Sequence, residues 1–311
     1  MISIKPEVTP EKVISLLNQH FTCPIVGLAP LAGGSVAQTI AFQSGNEDYV
    51  IRFTTEKMDA SYQKEYFIYK NFASTEIPIS PVIAFGHYEN LYYSISRKIP
   101  GIGLDSLPEA RLIKVLPHLI RTLFAIHRTD VSAWQNYGWI DDNGTGLFPS
   151  WKEFITRVYA EERSDGFYGK WHYMFNETFL DREFFEKVYR HMLKLLQFCP
   201  EKRYLVHGGY GFNNILVNDD EVTAVLDWFD AMYGDFVYDI AWIDLWPRGI
   251  DYSGLLYKYY AEHGEIIPDF TARVTCYKCY IGLDAMRFFA KTDNESAYDS
   301  ICHILQDLID R

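Results

Sequence analysis

The 311-residue sequence contains no unbroken apolar stretch of the roughly 18 residues that a membrane-crossing helix needs, so no helical membrane protein is expected. Its opening, MISIKPEVTPEKVISLL, carries Lys5, Glu7, Glu11 and Lys12 but no signal-length apolar run, which points to a cytoplasmic protein. Cysteine is scarce and odd in number: Cys23, Cys199, Cys276, Cys279 and Cys302 make no disulfide framework. Cys276 and Cys279 form a lone CxxC, and without a second pair or a neighbouring His cluster they do not complete four zinc ligands. Positive charge is also short. With 29 Lys and Arg against 41 acids the net charge is −12, which argues against a nucleic-acid partner and suits a cationic small molecule. Repeats and low-complexity linkers are absent, so solenoid and largely disordered architectures fall away.

What remains is an ordinary globular composition, 48% hydrophobic and rich in Tyr and Phe, long enough for about two domains. Thr9-Pro10-Glu11 followed by Val13, Ile14, Leu16 and Leu17 predicts a capped amphipathic helix. Short β-rich runs follow from Ile25, then helical spacing over 58 to 73, then two strands around 82 to 87 and 91 to 97. After Ile99-Pro100-Gly101-Ile102-Gly103 the pattern turns mostly helical, over 108 to 129, 150 to 163, 181 to 198, 252 to 263 and 271 to 290. One β-rich island interrupts it, YLVHGGYGFNNILVNDDEVTAVLDW, where polar residues sit at the ends of apolar strands. Asn214 and Asp227 would converge on one side of that hairpin, and two oxygen ligands there would suit Mg²⁺.

The segment HGGYGFNNILVNDDEVTAVLDWFDAMYGDFVYD resembles the aminoglycoside phosphotransferase family, a protein-kinase-like fold, and within it the hygromycin B phosphotransferase branch. That family's loop reads roughly H-G/A-D-F/Y-x-x-x-N, then a strand ending I-D-W, then G-D-x-x-Y-D/E. YGWIDDNGTGLFPSWKEFI at 137 to 155 and IGLDAM at 281 to 286 strengthen the likeness. The resemblance implies an α+β, two-lobed fold: residues 1 to 98 a five-stranded antiparallel nucleotide-binding lobe, residues 99 to 311 a mainly helical lobe carrying the metal and acceptor sites. It implies ATP or GTP with Mg²⁺ as cofactors, Asn214 and Asp227 as the metal ligands and His207 as support for the catalytic loop. Gly33, Gly34 and Ser35 match the nucleotide loop, where glycine lets backbone amides approach phosphate. Arg52 in YVIRF takes the place of the kinase lysine, with Glu65 as its fixing carboxylate, and SRKIPG places Lys98 and Ile99 at the hinge that holds adenine. His127, Asp235 and Asp239 are read as structural supports.

One departure stands out. Where the family carries its catalytic Asp, this chain has Gly209, which cannot accept a proton. Three readings stay open: an inactivating substitution, a binding protein derived from a kinase, or replacement by another carboxylate such as Asp230 or Asp235. For the acceptor, Asp230, Trp246 and Asp284 lie in the segments resembling the hygromycin enzymes. The expected reaction is γ-phosphoryl transfer to a hydroxyl of an aminoglycoside-like acceptor by a monomer. The alternatives are a non-catalytic nucleotide- or antibiotic-binding protein and a choline- or homoserine-type metabolite kinase.

Overall fold

The computed structural model describes residues 5–31, 37–55, 62–162, 166–246 and 249–310. The first helix, α1 (Pro10–Leu17), begins with Pro in its first turn and lays Val13, Leu16 and Leu17 against the sheet that follows. That sheet comprises β1 (Ile25–Pro30), β2 (Gln38–Ser44) and β3 (Glu47–Thr55), then, after α2 (Tyr62–Phe72), β4 (Val82–Tyr88) and β5 (Leu91–Arg97). All its pairings are antiparallel, in the order β1-β2-β3-β5-β4, the five-stranded arrangement expected from sequence. Period-two alternation on β3 buries Tyr49, Ile51 and Phe53 in a core shared with Phe42, Ile95 and α1. Arg52 consequently points to the opposite face.

Beyond residue 98 the chain crosses through β6 (Ile102–Gly103) into α3 (Glu109–His127), β7 (Tyr137–Ile140), β8 (Gly146–Phe148), α4 (Trp151–Thr156), α5 (Met174–Glu177) and α6 (Arg182–Leu195). Then come β9 (Tyr204–Val206), β10 (Ile215–Asn218), β11 (Glu221–Val225), β12 (Met232–Gly234), α7 (Val237–Leu245), α8 (Tyr252–Glu262), α9 (Phe270–Lys291) and α10 (Glu295–Ile309). The strands form two small sheets, β11-β10-β6 and β8-β7-β12-β9, set into a helical framework. Its large core runs through Trp151, Phe154, Trp171, Phe185, Tyr277 and Leu283, and it also takes in Ile68 and Phe72 of α2. The helix that carries Glu65 is thus packed on the second unit as well as on its own sheet.

The helix expected over 150 to 163 is shorter. It closes at Thr156, one 3₁₀ turn follows over Arg157–Tyr159, and the Ala160 carbonyl accepts the Trp171 indole N–H at 2.9 Å. Three helices were not foreseen, the first of them the single turn α5. Helix α7 is buried on nearly every face, through Val237, Ile240, Ala241, Ile243 and Leu245, so it carries no amphipathic period to read. Helix α10 shows a clear stripe of Tyr298, Ile301 and Leu305. The thiols behave as core residues: Cys199, Cys276 and Cys279 are buried and free.

Candidate active site

The β10–β11 hairpin brings Asn214 and Asp227 together. Ile215 pairs with Val225, and the Leu226 amide donates to the Asn214 carbonyl at 2.7 Å, which places the two candidate ligands on diagonal positions just past the strand ends. Asp227 adopts a left-handed conformation, φ 60°, that turns the chain out of the strand into the Trp228–Asp230 turn; Asp tolerates this region better than most residues. The Asn214 side-chain amide donates to the Gly209 carbonyl at 3.0 Å, so its Nδ2 is spoken for and its Oδ1 is left to face outward. One carboxylate and one amide oxygen suit a hard divalent cation that takes its other ligands from phosphates and water. No group of three His, Cys, Asp or Glu that could hold a metal occurs among the described residues.

Asp239 organises the loop opposite. Fully buried, it accepts the His207 amide at 2.8 Å and the Gly208 amide at 2.9 Å, and contacts His127 Nε2 at 3.0 Å. His127 is tied in turn to the Tyr260 hydroxyl, in keeping with a supporting role. Nδ1 of His207 accepts the Gly209 amide at 3.1 Å, which fixes its proton on Nε2, facing the Leu226 carbonyl at 3.0 Å. Burial lowers the His207 pKa despite the nearby Asp239 charge, consistent with that neutral ring. His207 therefore splices the loop to the strand bearing Asp227. The two glycines after it differ sharply. Gly208 has φ +84° and a Cβ there would stand 2.3 Å from the Asp230 carbonyl oxygen, whereas at Gly209 the nearest atom to a Cβ would be Asn214 Nδ2 at 3.4 Å. Position 209 has room for a side chain that this chain does not supply.

Across the cleft, the Arg52 Nη1 donates to Glu65 Oε1 at 3.1 Å and Nη2 meets Oε2, a bidentate pair, while Tyr62 stacks its ring 5.1 Å from the guanidinium. Burial opposes the Arg52 charge, but Glu65 outweighs it and the net shift is upward, with Asp227 within electrostatic reach. Arg52 is thus fixed on the same cleft as the candidate ligand Asp227. Gly33, Gly34 and Ser35 lie outside the described residues. At the hinge the Lys98 amide already donates to the Asp48 carbonyl at 3.0 Å, so an adenine contact would fall to the Lys98 carbonyl and to Ile99.

A profile of the phosphotransferase enzyme family matches residues 27–273. The chain belongs to the phosphotransferase enzyme family. It is 30% identical over 287 residues to the hygromycin-B 4-O-kinase of Escherichia coli, covering 91% of this chain and 80% of that protein. The crystal structure of aminoglycoside phosphotransferase APH(4)-Ia superposes with a TM-score of 0.82 at 26% identity, over 97% of this chain and 98% of the other. A spectinomycin phosphotransferase in complex with ADP and spectinomycin gives 0.66 at 15% identity, over 97% and 99% of the two chains, a likeness of fold. The kinase-like α+β architecture and the assignment as an aminoglycoside phosphotransferase-like enzyme follow.

In this phosphotransferase the acids beyond the metal strand divide by environment. Asp235 is completely buried and consumed: Arg273 Nε and Nη2 reach it at 2.9 and 2.5 Å and the Tyr277 hydroxyl at 2.6 Å. It cannot replace a missing base, and that reading of Asp235 is corrected here. Asp230 reaches water through the cleft, yet desolvation, then the Asp227 charge, pushes its carboxyl up to about 7 against the pull of Lys64. Asp284 on α9 receives Arg287 Nη2 at 2.5 Å and lies within electrostatic range of Asp230, so these two acceptor candidates do share a wall. Trp246, half-buried at the end of α7, packs on the core, and no described contact joins it to them. Trp242, one turn earlier, is the tryptophan at the loop: its indole nitrogen lies 3.2 Å from where a Cβ on Gly211 would stand. Sequence reasoning also missed Lys64. It is 5% exposed, its ammonium donates to the Phe229 carbonyl, and burial lowers its pKa to about 8 despite Asp230 and Glu65. A polar residue on a helix of low amphipathicity gave no signal for it.

Proposed function

We propose that this protein transfers the γ-phosphoryl group of ATP to a hydroxyl of a cationic, aminoglycoside-like acceptor, with hygromycin B the first candidate. The observation that carries the reading is the convergence of Asn214, Asp227 and the Arg52–Glu65 pair on one cleft. The Asn214 and Asp227 oxygens would hold Mg²⁺, which would supply positive charge against the phosphates. Arg52, prevented by Glu65 from wandering, would pair with phosphate oxygens, and the backbone of the 207–209 loop, pinned by Asp239, would set the floor on which the acceptor hydroxyl lines up. Asp284, on the same wall as Asp230, adds negative potential for acceptor ammonium groups. Crystal structures of APH(4)-Ia variants hold hygromycin B with either ADP or AMP-PNP, which supports the same assignment of ligands. Those variants replace by alanine one Asp and two Asn placed four and five residues after it, the spacing that separates Gly209 from Asn213 and Asn214.

Gly209 favours a second reading, in which the cleft binds nucleotide and acceptor without turnover. The deciding experiment measures ADP formation with Mg²⁺-ATP and, separately, Mg²⁺-GTP, against hygromycin B, an aminoglycoside panel, choline and homoserine, alongside calorimetric nucleotide binding. Turnover with an aminoglycoside supports transfer; nucleotide binding with no turnover of any acceptor selects the binding protein; turnover of choline or homoserine alone selects the metabolite kinase.

A further inference from the structure

The strand register at the cleft floor places one carboxylate beside the side-chain-free position. Met232 of β12 pairs with Val206 of β9 and with Trp139 of β7, both antiparallel. Continued by two residues, that register sets Asp230 opposite Gly208, one residue from Gly209, and opposite Asp141 on the other side. The Gly208 contact agrees: its backbone lies so close to the Asp230 carbonyl that a Cβ would stand 2.3 Å from the oxygen. The Lys64 ammonium holds the same turn from above through the Phe229 carbonyl. Asp230 and Gly208 lie just past the ends of β12 and β9, so the turn that carries Asp230 runs beside the loop residue preceding Gly209.

Of the other carboxylates in the neighbourhood, Asp142 lies on the Asp141 turn within electrostatic reach of Lys64, and the rest are engaged. Glu65 holds Arg52, Asp235 holds Arg273 and Tyr277, Asp239 holds two loop amides, and Asp284 holds Arg287. Asp141 accepts the amides of Asn143 and Thr145 at 2.9 and 2.8 Å, and Asp227 faces the metal position. The Asp230 carboxylate makes no hydrogen bond among the described residues. We propose that Asp230 is the general base of this phosphotransferase, acting from the turn ahead of β12 beside the bare Gly209; the proposal rests on the transfer reading above. In the step, the acceptor oxygen forms a bond to the γ-phosphorus as the bond from that phosphorus to the β,γ-bridging oxygen breaks. The leaving ADP keeps the electron pair, and the hydroxyl proton passes to an Asp230 carboxylate oxygen and then to water.

The test compares the parent, Asp230→Asn, Asp230→Glu, Gly209→Asp and the double variant Gly209→Asp/Asp230→Asn, with Mg²⁺-ATP and hygromycin B, reading kcat and KM separately and melting each protein. We expect Asp230→Asn to lower kcat by about 10² to 10⁴-fold with little change in KM or in nucleotide affinity. Asp230→Glu should retain part of the rate, and the double variant should regain most of it, because an Asp at 209 makes Asp230 dispensable. The proposal is overturned if Asp230→Asn keeps kcat within a few-fold of the parent. It is equally overturned if the loss is all in KM, which would make Asp230 an acceptor ligand, or if a well-folded double variant stays as slow as Asp230→Asn. A parent inactive on every acceptor beside an active Gly209→Asp protein overturns transfer by this chain and the Asp230 base with it, whereas an active parent whose rate Asp230→Asn leaves unchanged overturns the Asp230 base alone. Inactivity of both overturns the two together.

Discussion

Replacing Gly208 and Gly209 in turn by alanine probes the assignment on which the chemistry depends. Alanine at 208 would have to hold φ near +84°, and its Cβ would sit 2.3 Å from the Asp230 carbonyl oxygen and 2.9 Å from that carbonyl carbon. The left-handed conformation costs about 1 to 2 kcal/mol and forcing a methyl into packed backbone about 1 to 3 kcal/mol more, so a loss of about 2 to 5 kcal/mol is expected. At 209 the backbone lies outside the left-handed region and the nearest neighbour of a Cβ is a side-chain amide at 3.4 Å. There alanine removes only unfolded-state freedom, worth about 0.4 to 1 kcal/mol of stabilisation. At about 2 to 4 °C per kcal/mol the two melting temperatures should separate by about 5 °C or more, Gly208→Ala falling and Gly209→Ala holding level or rising. Differential scanning calorimetry at equal concentration reads this directly. Equal losses at both positions would refute the argument, because position 209 would then need glycine for its backbone and could not be a vacated side-chain site.

Three further outcomes are expected. Arg52→Ala should weaken Mg²⁺-ATP binding about tenfold or more by calorimetry, the worth of a charge-assisted hydrogen bond, and Glu65→Gln should weaken it less, since it loosens Arg52 without removing it. Asp239→Asn sets an amide NH₂ against buried donors where a carboxylate now accepts the His207 and Gly208 amides, and should cost about 3 to 5 kcal/mol in urea unfolding; a loss under 1 kcal/mol would mean the loop is held elsewhere. Asp230, facing Asp227, Asp284 and Lys64, has its carboxyl raised to about 7 from an ordinary value of 3.8. The folded state therefore holds this proton where the unfolded chain has lost it. The stability it adds is complete below about pH 4 and fades as pH climbs to about 7. Asp230→Asn should gain melting temperature relative to the parent across that window, and a flat difference from pH 4 to 8 would contradict it.

The sequence carried the β meander, the hairpin with its metal-type oxygens and the Arg52–Glu65 pairing because each rests on local pattern or ordered motif. Alternation on Tyr49, Ile51 and Phe53 accounts for Arg52 lying on the opposite face of the strand. What stayed illegible depends on contacts far apart in the chain. Lys64 reaches Phe229 across 165 residues, and Trp242 was passed over in favour of Trp246 because spacing alone does not say which of two indoles meets the loop. Helix α7 was unreadable for the opposite reason: buried on all sides, it has no polar face to mark its period. Asp235 and Asp230 looked interchangeable as spare carboxylates until Arg273, 38 residues on, proved to occupy the first.

Burial sorts the four acids between 227 and 239 into two kinds of work. Asp235 and Asp239 have no exposed surface, and each accepts several donors, so neither can change its proton or its partner without leaving buried groups unpaired. Asp227 and Asp230 open onto the cleft and keep their oxygens for ligands. Gly209 contributes to the first network only through its backbone: its amide donates to His207 and its carbonyl accepts from Asn214. Neither bond needs a side chain. The loop, the metal ligands and the clamp on Arg52 can therefore persist intact with glycine in that place, and nucleotide binding is separable in this fold from the proton transfer that turnover demands. A glycine there removes one reactive oxygen pair from the floor and leaves the architecture that would use it standing, which is why Asp230, on the turn beside Gly208, is the group to test.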